Sequence, residues 1–116
     1  MIKKTIKLKI ALSVFLLGAS FCASAVEYKP HAICDKKSGV CADSEGISVA
    51  LTKMYLGDKA EAKLMAEINK VGIQDFDPTW FTMSGGLTCK TKEKMCWTSR
   101  LQEKVDSKAM KILFGD

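Results

Sequence analysis

The sequence predicts a small α+β domain, stapled by disulfides and built from short antiparallel hairpins, a strand meander and about three short helices. Three observations carry that prediction. Four cysteines, Cys34, Cys41, Cys89 and Cys96, fall into two Cys-x6-Cys pairs with polar residues between them. Short runs rich in β-formers and bounded by turn residues surround both pairs. Helical runs with an apolar face and a glycine stop follow each pair at some distance.

The first 25 residues stand apart. Lys3, Lys4, Lys7 and Lys9 precede the apolar run Ile10–Leu17, and Ala23-Ser24-Ala25 supplies small residues at a cleavage site. This is the layout of a secretory signal peptide, with cleavage expected after Ala25. The apolar run is short of the roughly 20 residues that span a bilayer. Phe21 precedes Cys22, where a lipidation site wants a small residue, so Cys22 is assigned to the removed segment. Residues 26–116 form one small domain, expected to be periplasmic or secreted, with no integral membrane segment after signal removal. That part carries 13 Lys and one Arg against 13 acids, close to +1. The basic character of the whole chain belongs largely to the signal, which argues against nucleic acid as a partner.

An even cysteine count in a small exported domain reads as two disulfides. Three connectivities exist. Pairing within each copy is favoured because a short loop closes a hairpin across its neck; pairing between copies stays open. The Cys-x6-Cys spacing is wider than a zinc knuckle, and no reactive Cys-x-x-Cys is present. No metal or cofactor site is expected.

Taken in order, Val26–Ala32 reads as an extended, flexible lead-in carrying the sole histidine, His31. Ile33-Cys34 and Val40-Cys41 read as a hairpin around a polar turn, and Ala42–Gly46 as a loop. A helix is expected from Ile47 or Ser48, with Ile47, Leu51, Met54 and Tyr55 on its buried face and Gly57 as its stop. Asp58 reads as the N-cap of a second helix, with Glu61 three residues on. Ala60, Leu64, Ile68 and Val71 form its apolar face. Pro78 excludes helix, and Trp80 to Trp97 reads as a three-stranded meander turning at Ser84-Gly85-Gly86 and again at Lys90–Lys94. Thr98–Lys104 is ambiguous, and Asp106 or Ser107 caps a last helix containing Ala109, Met110, Leu113 and Phe114.

The two cysteine pairs sit in similar contexts. Ile33-Cys34 matches Thr88-Cys89, and Lys53–Asp58 matches Lys111–Asp116. The sequence therefore suggests an internal duplication over residues 33–58 and 88–116; chance likeness of short hairpins is the competing account. Few groups promise chemistry. Asp75 and Asp77, like Asp43 and Glu45, lie where turns and helix starts want acids. His31 is expected exposed. Trp80 and Phe81 alternate faces on a strand, so one of them points away from the core. Trp97 follows a disulfide. A recognition surface built from Trp80, Trp97, Lys90, Lys92 and Lys94 competes with core packing and a solvated hairpin tip. Lys36 and Lys37 occupy the equivalent tip of the first pair.

Several stretches resemble the YcgJ family of exported enterobacterial proteins, also labelled Fels prophage protein-like. They are Gly39–Asp43, Gly46-Ile47-Ser48, Leu51–Gly57, Phe76–Thr79, Phe81–Gly86 and Leu113-Phe114-Gly115. The resemblance covers nearly all of residues 26–116. It implies an exported, prophage- or chromosome-borne protein of uncharacterised molecular function, and it brings no catalytic residues. From the residues themselves we expect an exported, non-enzymatic binding protein of the bacterial envelope, with an unknown protein or envelope component as partner. The alternatives are an inhibitor or modulator of an envelope or host hydrolase, and a small hydrolase using Asp75 or Asp77.

Overall fold

The computed structural model describes residues 25–115, so the expected signal peptide and Cys22 lie outside the described residues. The α+β prediction holds: two antiparallel sheets and three helices. The first sheet has the order β1 (Val26–Lys29), β2 (Ala32–Asp35), β3 (Val40–Asp43), β4 (Gly46–Ser48). Two helices follow, α1 (Val49–Leu56) and α2 (Asp58–Val71). The second sheet is the expected meander: β5 (Trp80–Thr82), β6 (Thr88–Lys90), β7 (Met95–Trp97). Helix α3 (Ser107–Phe114) closes the fold.

Both disulfides form within their own hairpin. Cys34 lies directly opposite Cys41, and Cys89 opposite Cys96, with Cα separations of 4.0 and 4.1 Å. Each links adjacent strands, and all four cysteines are fully buried. Closing a loop of this length is worth about 2–3 kcal/mol through the unfolded chain.

Several local expectations are corrected. The lead-in is strand β1, paired with β2 from Val26↔Asp35 to Lys29↔Ala32. Tyr28 and Val26 pack against the core, which supplies the burial that Pro30 alone does not suggest. The expected loop after Cys41 is mostly strand, because Ile47 pairs with Ala42 across a tight turn in which Asp43 accepts from the Glu45 N–H. Helix α1 therefore starts at Val49, with the Ser48 hydroxyl capping the Leu51 N–H at 3.0 Å. Its buried residue is Thr52, whereas Met54 is 69% exposed. Thr52 Oγ1 accepts from the Cys41 N–H at 2.9 Å and donates to the Ser48 carbonyl at 2.7 Å. A buried strand amide thus selects a hydroxyl where periodicity suggested an apolar residue. At the corner, Gly57 (φ 95°) stops α1 and precedes α2; Asp58 is already helical and its side chain makes no cap bond. Leu64 and Ile68 are buried as expected, but Val71 is exposed.

The hairpins share a register that extends beyond the cysteines. In the first unit Ala42 pairs with Ile47 and Ser48 caps an eight-residue helix. In the second, Trp97 bridges Val105 and Asp106 caps another, accepting from the Ala109 N–H at 3.0 Å. Gly57 and Gly115 end these helices by donating to Lys53 and Lys111 carbonyls. The three extra residues lie in the loop between Trp97 and Val105.

The core joins Ile33 and Ala42 of the first sheet to Phe81, Cys89 and Cys96 of the second, with Ala109 and Leu113 of α3 between them. Helix α1 covers the cysteine side of the first sheet, through Thr52 and Cys41, so β2 is buried throughout. Two further contacts lock the units. Ile47 N–H donates to the Pro78 carbonyl at 2.8 Å. Gly46 lies so close beneath Pro78 that a Cβ there would collide with its carbonyl. The Asp35 carboxylate, fully buried, accepts from Lys37 N–H (3.0 Å), the Ser38 hydroxyl (2.6 Å) and, across 49 residues of chain, Ser84 N–H (2.7 Å).

Burial pushes the Asp35 carboxyl up, but the bonds from Ser38 and Ser84 outweigh it and hold the group below the usual carboxylate range. Its contribution to stability is therefore complete above the unfolded value near pH 3.9, and is lost as pH falls through the lower folded value. Asp35→Asn should cost about 2–3 kcal/mol in urea unfolding at neutral pH. It should also flatten the decline in stability below about pH 4, and an unchanged acid slope would show that another carboxylate governs it.

Candidate functional site

Strand alternation gives the second sheet two unlike faces. Phe81, Cys89 and Cys96 point to α3 and the core. The opposite face carries Trp80, Thr82, Thr88, Lys90 and Trp97, following the register Trp80↔Lys90 and Thr88↔Trp97. Phe81 is 7% exposed and Trp80 56%, so the expected division between these neighbours is observed.

Lys90 organises this face. Its ammonium sits 4.2 Å from the Trp80 ring centroid and 5.9 Å from that of Trp97, with the Glu93 carboxylate at 3.9 Å. An ammonium over an indole face is worth about 0.5–1 kcal/mol at a surface. The same sheet face carries two threonine hydroxyls, those of Thr82 and Thr88. There the Thr88 hydroxyl donates to the Gly86 carbonyl at 2.9 Å and shares a 2.9 Å bond with Thr82. Beside Trp80 opens a cleft of about 160 Å³, lined by Asp77, Thr79, Trp80, Lys90, Lys92 and Glu93. Its charges are mixed and its wall is one exposed indole.

Of the residues the sequence singled out, Trp80, Lys90 and Lys92 meet at this cleft. Trp97 does not belong to the exposed surface: it is 9% exposed, packed beneath Lys90 and bridged to Val105. Lys94 is exposed at the hairpin tip, in a left-handed conformation (φ 55°) that turns the chain into β7, and it does not line the cleft. Asp77, named from the sequence as a turn acid and hydrolase candidate, also lines the cleft, with Thr79 and Glu93, which the sequence does not single out. The signal for Asp77 was the Asp-Pro-Thr turn: its carboxylate accepts from the Thr79 hydroxyl (2.6 Å) and N–H (2.9 Å). Those bonds hold its pKa below the usual carboxylate range.

Asp75 is exposed and is not part of that cleft, so the two acids considered for hydrolysis do not converge. His31 is exposed, as expected, but sits in the β1–β2 turn with φ 59° rather than in a loose lead-in. Among the described residues no group of three or more His, Cys, Asp or Glu is placed to hold a metal ion.

Fold and face together define a small disulfide-stapled α+β domain with one exposed indole on the outer side of its second sheet. The chain belongs to the YcgJ family, whose family model, described as YcgJ protein, matches residues 26–114. It is 40% identical over 68 residues to the uncharacterized protein YcgJ of Escherichia coli (strain K12). That alignment covers 59% of this chain and 49% of the relative, so the chain spans about half the length of the curated protein it matches. No solved structure matches the chain.

The two tryptophans should separate cleanly in mutagenesis. Trp97→Ala removes a packed indole and should cost about 3 kcal/mol or more, whereas Trp80→Ala should stay within about 1 kcal/mol of the parent in urea unfolding. Comparable losses at both sites would mean that Trp80 is structural.

Proposed function

We propose that the protein is an exported, non-enzymatic binding protein of the bacterial envelope, and that it docks a protein or another envelope component on the Trp80 face. The observation that carries this reading is the position of Trp80. A large indole, 56% exposed, stands on the sheet face opposite α3, held by Lys90 and bordered by a cleft. Tryptophan is prominent among residues that dominate binding energy, and its rigid ring loses little freedom on contact.

The staples support an exported location. Two buried disulfides suit an oxidising environment outside the cytoplasm. No helix among the described residues is long and apolar enough to cross a membrane. The signal-like residues 1–25 add the periplasm as the first destination.

One observation favours the inhibitor reading. The loop between Trp97 and Val105 presents Leu101, 74% exposed, beside exposed Arg100. It is closed by the Thr98 N–H to Lys104 carbonyl bond at 2.9 Å and folded at its tip by Gln102 N–H to the Ser99 carbonyl at 3.1 Å. A held loop with a projecting side chain is what blocking a cleft requires. Its tip is turned rather than extended, which fits a protease groove less well than an open face fits a partner surface.

The oxidised protein, used as bait in periplasmic extract, tests both readings. Trp80→Ala should weaken capture by about tenfold or more while Leu101→Ala leaves it unchanged. The reverse pattern supports the inhibitor. Capture indifferent to both substitutions overturns both.

A further inference from the structure

A second cleft shares no lining residue with the one beside Trp80. It is lined by Lys29, Pro30, His31, Lys108, Lys111 and Ile112, with a volume of about 270 Å³. The β1–β2 turn supplies one wall and helix α3 the other. Three lysines line it, of which Lys108 and Lys111 stand on α3, and Pro30 and Ile112 give it apolar walls.

Two of the lysines are held in place. The Lys108 ammonium sits 4.2 Å from the Tyr28 ring centroid, and that of Lys29 sits 5.3 Å from the Tyr55 centroid. Aromatic faces fix an ammonium without neutralising it. Lys29 also pairs with Glu27 at 3.3 Å, but Glu27 is shared with Lys36 at 2.9 Å. Neither Lys108 nor Lys111 has an ion pair among the described residues. The cleft thus keeps an excess of positive charge although residues 26–116 are nearly neutral. That local imbalance is not demanded by the fold, since all three ammoniums would be equally soluble if dispersed.

We propose that this cleft binds the phosphate headgroup of an anionic lipid, with Lys108 and Lys111 contacting the phosphate and Pro30 and Ile112 receiving the adjoining apolar part. Charge complementarity selects an anion. The apolar walls select an amphiphile over an inorganic ion, because a bare phosphate gains nothing from covering Ile112. The site shares no lining residue with the Trp80 cleft, so each can be altered without touching the other.

The test is co-sedimentation of the oxidised protein with phosphatidylglycerol–phosphatidylcholine vesicles and with phosphatidylcholine vesicles alone. Binding is expected for the anionic vesicles and not for the neutral ones. The double variant Lys108→Glu/Lys111→Glu should lose about tenfold or more in affinity. Lys59→Glu/Lys63→Glu on α2, which makes the same change in net charge, should lose less than about twofold. Trp80→Ala should leave vesicle binding unchanged, so failure here and failure of the docking reading are distinguishable. Circular dichroism confirms that each variant is folded. Equal losses in the two lysine double variants would overturn the proposal in favour of diffuse attraction. So would absence of binding, or full competition by inorganic phosphate at the same concentration as the anionic lipid.

Discussion

The buried carboxylate of Asp35 ties the turn of the first hairpin to the turn between β5 and β6. It immediately follows Cys34 and is fully buried. Two of its bonds order the turn of its own hairpin, and the third reaches Ser84 at the β5–β6 turn. A buried charge without partners costs several kcal/mol, so the fold is consistent only when both hairpins are in place around it. That requirement couples a local event, closure of the Cys34–Cys41 loop, to a long-range one, arrival of the second sheet. The disulfides alone could not do this, since each links residues within a single hairpin.

Once the two sheets are joined this way, the layering follows. The first sheet is covered on its cysteine side by α1 and on its other side by α3, which explains why β2 is buried from end to end. Helix α3 in turn takes the cysteine side of the second sheet. Helix α3 thus contacts both sheets, on the side of the second that faces away from Trp80. On the Trp80 side Thr88 and Trp97 are still buried, while Trp80 itself is exposed.

Much of this was legible in the residues because local chemistry and final structure agree. The within-hairpin cysteine pairs, β7 at Met95–Trp97, the Asp106 cap and the Gly57 and Gly115 stops all depend on neighbours close in sequence. The misses share a cause. Strand β1 is defined by its pairing to β2, β4 by its pairing to β3, and Thr52 by an amide eleven residues away. None of these leaves a period in the sequence. Trp80 and Trp97 could be named as surface candidates, but their opposite burial depends on the Val105 bridge and the loop before it. The Lys29–Lys108–Lys111 cluster was invisible for the same reason: the β1–β2 turn meets α3 only after the core has assembled.

The shared register allows the two hairpins to be compared position by position. By position relative to the cysteines, Val26 corresponds to Trp80, Asp35 to Lys90, and Ala42 to Trp97. In the first unit these positions face α3 and hold two small apolar side chains and the buried carboxylate. In the second they lie on the sheet side away from α3 and hold Lys90 near an exposed indole, Trp80, and a buried one, Trp97. Packing explains the first set completely, because each member contacts the core or satisfies a turn. It explains Trp97, which covers Thr88 and meets Val105. It does not explain Trp80, whose removal would uncover little, since more than half of its surface already faces water. A sheet face needing solubility alone is best served by threonine and lysine, both already present there. An indole kept on that face, and braced by Lys90, is better accounted for by a surface that something else comes to cover.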